Sequence, residues 1–197
     1  PAQVTARPAL WQAQKGESRL WLFGTLHVVP RGEPWLSPAI ADAADASDRL
    51  FLEVTGLEAE RRSRATFERL GRGAGLPPVI DRLTADDAAR YRALMRSHGS
   101  DLRELDRYKS WAAALLINAA ASADLSLTTA EAGEAVLTRR FSKRSRSIAG
   151  LETIDEQLGL FNALPEEDQR LLLAQALADA GQAAQLYDTL HSAWASG

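Results

Sequence analysis

Ser18-Arg19-Leu20-Trp21-Leu22-Phe23-Gly24-Thr25-Leu26-His27 reads as an apolar strand that runs into a loop and reaches a histidine. Only three histidines occur in the 197 residues. A ligand-type side chain just past a strand end is a candidate site, because open α/β sheets bind ligands at the carboxyl ends of their strands. Two more strand-like runs end near a carboxylate, at Glu53 and at Glu152.

Upstream, residues 9–14 are also rich in Leu and Trp, and Lys15-Gly16-Glu17 supplies a turn, so 9–14 and 18–24 form a β-hairpin. Downstream, Pro30, Gly32 and Pro34 make the next segment irregular. Ser37 is a natural N-cap and Pro38 a natural first residue for a helix to about Ala46. Arg49 to Val54 then reads as a second core strand, and strand, helix and strand in this order predict a right-handed βαβ crossover. Beyond residue 56 the pattern turns helical. Helices are expected over Leu57–Leu70, from the cap Thr84 to His98, over Lys109–Ala123 and over Ala130–Ser142. Arg146–Gly150 is a short strand candidate. Ile154–Leu164 is a helix, and Pro165 opens a long helix to about Ala195. The predicted class is α/β: a small mixed sheet with a hairpin and a βαβ unit, surrounded by helices, with residues 57–146 mainly helical.

Composition narrows the function classes. Apolar residues make up 46% and charged residues 25%, ordinary for a soluble globular chain. The net charge of −3 gives no general attraction to nucleic acid. With no cysteine there are no disulfides and no thiolate metal sites. No apolar run reaches the roughly 18 residues of a membrane span. Pro1-Ala2-Gln3-Val4-Thr5-Ala6 reads equally well as a mature end left by signal cleavage or as an arbitrary cut.

His27, Glu53 and Glu152 are the residues that could carry chemistry. Imidazole and carboxylate are the usual ligands of a catalytic divalent metal where thiolate is absent. Leu50, Leu52 and Val54 share one face of their strand, and Phe51 and Glu53 share the other. A carboxylate beside Phe51 on a helix-covered sheet is costly unless paired or metal-bound. Each residue also has an ordinary reading: a hydrogen-bonded loop histidine, a salt-bridged strand-end glutamate, and a first-turn acid on the helix dipole.

Gly24-Thr25-Leu26-His27, then Trp35-Leu36-Ser37-Pro38, Leu52-Glu53-Val54, Lys109-Ser110-Trp111-Ala112-Ala113 and Gly150-Leu151-Glu152-Thr153 with Glu156-Gln157-Leu158 and Phe161 resemble the TraB/PrgY/GumN family in this order. That family is related to the Tiki-type metalloproteases. The resemblance implies a bacterial metal-dependent hydrolase of peptide bonds, exported to the periplasm or secreted and soluble there. It marks His27 and Glu53 as catalytic, and His27, Glu53 and Glu152 as ligands of a divalent ion (Zn, Mn or Co). It also implies a second Gly-x-x-His motif in a C-terminal segment beyond Gly197, which would make residues 1–197 a single but incomplete domain. The family tends to have Asp where Glu134 stands, so Glu134 is a weaker site candidate.

The partner expected is a peptide or protein, with no nucleic acid and no stable membrane insertion. A non-catalytic module that sequesters a peptide is the alternative to a hydrolase. A third reading makes the chain half of an assembly completed by a homodimer partner. The basic run Arg139–Arg146 reads as a solvated helix end, Gly71–Gly75 as a flexible connector, His98 as a helix-end residue, and His191 as a surface or packing residue beside Trp194. The tryptophans read as core or groove-lining residues.

Overall fold

The hairpin forms as its sequence dictates. Strands β1 (Leu10–Lys15) and β2 (Ser18–Phe23) pair antiparallel, from Leu10 opposite Phe23 to Lys15 opposite Ser18. A two-residue turn of this kind needs positive φ, and Gly16 supplies it at +59°. Leu10 and Phe23 face the interior, whereas the alternate pair Trp11 and Leu22 stays more than half exposed. The computed structural model describes residues 6–55, 60–99, 104–123 and 125–197. Among these the chain divides into two compact units.

The first unit is drawn from Pro1–Leu52, Ser126–Ala149 and Gln185–Gly197. Strand β3 (Val29–Pro30) pairs antiparallel with β5 (Leu127–Thr128). Helix α1 (Pro38–Ala46) starts where expected, with the Ser37 side chain accepting from the Ile40 amide, and buries Ile40, Ala43 and Ala44. Helix α5 (Gly133–Ser142) and helix α8 (Ala183–Ser196) complete the unit. One core joins Ala6, Trp35 and Ile40 to Phe23, Val136 and Trp194; a second joins Ala44, Leu137 and Phe141 to Leu50 and Ile148. The basic run is not simply solvated. Arg140 and Arg144 both clamp Asp45, and Arg146 donates to the carbonyls of Ala44, Asp45 and Ser47 at the end of α1. The two arginines hold the Asp45 carboxyl far below the usual carboxylate range.

The second unit, Glu53–Leu125 and Gly150–Ala184, is mostly helical. It contains α2 (Glu60–Gly71), α3 (Ala85–His98), α4 (Ser110–Ala123), α6 (Ile154–Ala163) and α7 (Glu166–Ala180). The first residues of the helix expected from Leu57 lie outside the described residues. Helix α4 is its axis: Trp111, Ala112, Ala113 and Ile117 are fully buried, with Leu173 and Leu177 of α7 against them. Trp111 stacks on Phe161 and meets Phe67 edge-on. Gly71–Gly75 is not merely a connector. A Cβ on Gly71 would lie 2.8 Å from the Ala112 Cβ, and the Gly71 carbonyl accepts from the Lys109 amide at 2.7 Å. The glycine lets α2 approach α4 closely.

The α/β class holds, with three corrections. Strand β4 (Arg49–Thr55) takes as its parallel partner β6 (Ser147–Thr153), whereas β2 pairs with β1. Apolar patterning identifies a buried strand but not which neighbour it meets. The strand expected to end at Gly150 runs on to Thr153, where a capping box with Glu156 starts α6. The long helix expected from Pro165 is two helices: α7 ends at Ala180, and a turn at 181–182 separates it from α8.

Candidate functional site

The end of β2 and the start of α5 meet at Thr25. Gly133 makes this possible: a Cβ there would lie 2.5 Å from the Thr25 Cγ2 and 3.2 Å from the Phe23 ring. Close approach places Glu134, in the first turn of α5, against the loop that carries His27. The Thr25 hydroxyl donates to Glu134 Oε1 at 2.5 Å, and His27 Nδ1 lies 3.1 Å from the same oxygen. His27 is 73% exposed at its side chain and Glu134 28%. Burial raises the Glu134 carboxyl, but hydrogen bonds from His27, Thr25 and its own amide outweigh burial and hold it below the usual carboxylate range. The α5 N-terminus also favours the anion.

A carboxylate on Nδ1 fixes the imidazole's orientation and tautomer and directs its chemistry to Nε2. Metal-ligating and proton-transferring histidines commonly have such a carboxylate on one ring nitrogen, and imidazole with carboxylate is donor chemistry that suits a divalent ion. Among the described residues, no three His, Asp or Glu side chains gather into a metal-holding group.

Glu53 and Glu152 belong to the second unit. The expected face of β4 is right, since Val54 is buried while Glu53 and Phe51 are exposed. The expected burial of Glu53 is not. Phe51 is 55% exposed, so no covered face raises the cost of the carboxylate. Glu53 accepts from Gln157 Nε2 at 3.0 Å. Glu152 lies in β6, one residue before the cap Thr153, and the acids within the first turn of α6 are Asp155 and Glu156.

The TraB/PrgY/gumN family model matches residues 9–197. The chain belongs to that family. Comparison with curated proteins and with solved structures gives no significant match. Much of the TraB-type motif set serves the fold. Trp35 is buried in the core and donates its indole N–H to the Glu131 carbonyl. Lys109 donates to Asn162, Ser110 donates to Glu166, and Trp111 is core. Glu156 closes the capping box and Gln157 holds Glu53.

Sequence reasoning gave Glu134 only a minor place and missed Thr25. The available signal was the pair Gly133-Glu134, a small residue directly before a first-turn acid. His98 ends α3 as expected and contacts Ser97. His191 is a packing residue: it stacks on Tyr187 and meets Trp194 at a tilt, and its buried Nε2 lies 3.4 Å from Glu33 without a hydrogen bond among the described residues.

Proposed function

We propose that this TraB-family chain is a metal-dependent hydrolase acting on peptide bonds. The observation that supports it is the Glu134 carboxylate on His27 Nδ1, braced by Thr25. In the first unit His27 would hold the ion through Nε2, Glu134 would set the ring, and Thr25 would set Glu134. In the second unit the family resemblance assigns Glu53 the role of ligand or general base, held by Gln157, and Glu152 that of a further ligand. A bound divalent ion would acidify a water molecule and polarise a carbonyl. Export to the periplasm or beyond is part of the same proposal and rests on family membership. Among the described residues no helix is long and apolar enough to cross a membrane.

The test uses the purified chain, His27→Ala and Glu53→Gln. Each is titrated with Zn, Mn and Co and incubated with a quenched-fluorescent peptide library. Wild type should bind an ion and cleave; each variant should lose on the order of 10²–10⁴ in turnover. Metal binding and turnover unchanged in both variants would overturn the proposal. Peptide retained but recovered intact would point to sequestration instead.

A further inference from the structure

Helix α8 turns Tyr187, His191 and Trp194 to one side, at spacings of four and three residues. All three meet the segment that carries His27. The Trp194 indole N–H donates to the Gly24 carbonyl at 2.9 Å. The Tyr187 hydroxyl donates to the Val28 carbonyl at 3.3 Å. His191 Nε2 sits 3.4 Å from Glu33, whose side chain is only 14% exposed. Gly24 opens the loop and Val28 directly follows His27, so the two donors bracket the histidine.

The donors also sit in one aromatic row. Tyr187 stacks on His191 with centroids 5.7 Å apart, His191 meets Trp194 at 5.9 Å, and Trp194 meets Trp35 at 6.5 Å. Aromatic side chains lose little freedom when they dock, so this row holds its hydrogen-bond partners, the loop carbonyls, at small entropic cost. A helix that merely covered a core would need apolar contact alone. This one directs an N–H and an O–H at main-chain carbonyls on either side of one residue.

We infer that Tyr187 and Trp194 are positioning residues for His27: they fix the loop backbone so that Nδ1 meets Glu134. The inference deepens the reading of His27 as the reactive imidazole and rests on it for its functional meaning, but its test does not.

The metal-free chain is labelled with ¹⁵N-histidine and compared with Trp194→Phe, Tyr187→Phe and the double variant. Each substitution keeps an aromatic ring and removes the donor. Amide exchange over residues 25–29 should quicken roughly fivefold per bond lost, the effect of one hydrogen bond of ordinary net strength on local opening. The His27 ring signals should move from the Nδ1–H form toward the mixture of a free imidazole. A purely structural role would lower the melting temperature and leave the His27 signature where it was, and that result overturns the inference. If the double variant does not fold, the single variants, each keeping one anchor, decide by the same signature. Should the hydrolase reading fail, wild type would bind no metal and cleave nothing while the His27 signature still responded to these substitutions.

Discussion

At the scale of single residues, the reactive character of His27 depends on one carboxylate. Replacing Glu134 by Gln keeps the shape and removes the charge, and turnover should fall about 10–100-fold, as it does when the partner of a ligating histidine is lost. The same residue makes an acid-stability prediction. A carboxylate held below its ordinary 4.5 stabilises the fold above that pH, and the contribution disappears as pH falls through the lower folded value. Acid unfolding followed by circular dichroism should therefore show Glu134→Gln less stable than wild type at neutral pH, with the gap closing below pH 4.5. Trp111 poses a different question. Its indole N–H is buried with no hydrogen-bond partner among the described residues. Trp111→Phe removes that orphan along with some volume, so it should cost well under the roughly 3–5 kcal/mol of Trp111→Ala in urea unfolding. Equal losses in the two variants would show that the N–H carries no penalty.

At the scale of elements, the glycines separate into those that permit contact and those that only end a helix. Gly133→Ala drives a Cβ into Thr25, so it should cost about 1–3 kcal/mol and part Glu134 from His27. Both effects can be read, by thermal melting and by the His27 ring signals. Gly181 has φ of −70°, and a Cβ added there would find its nearest neighbour, the Ala178 carbonyl oxygen, at 3.8 Å. Gly181→Ala should therefore stabilise the fold by about 0.5–1 kcal/mol, seen as a raised melting temperature. Elements whose signals are local were legible in the sequence: Gly16 in its turn, Ser37-Pro38 opening α1, Thr84 opening α3. The pairing of β4 with β6 was not, because strand patterning does not name a partner. Nor was the exposure of Glu53, since that depends on what covers Phe51. His27 was legible from its place after β2. Its carboxylate was not, because Thr25 and Glu134 are 109 residues apart and only the packing of α5 unites them.

At the scale of the molecule, a bound ion should act on the whole fold. An ion that binds only the folded chain adds about 2.7 kcal/mol of stability at a hundredfold excess over its dissociation constant. A chelator should thus lower the melting temperature of wild type and leave that of His27→Ala unmoved; an equal response from both would separate any bound ion from His27. The interleaving of the two units has a further consequence, in time. The second unit is encoded by residues 53–125 and 150–184, while the first needs its last segment, 185–197. The Gly24 carbonyl waits for an indole 170 residues later in the chain. During synthesis the histidine loop is therefore completed long before the helix that secures it. Until the ribosome delivers Trp194, the nascent chain carries its candidate reactive group on a loop that lacks its α8 donors, so any activity that depends on those two hydrogen bonds begins only after that helix has emerged.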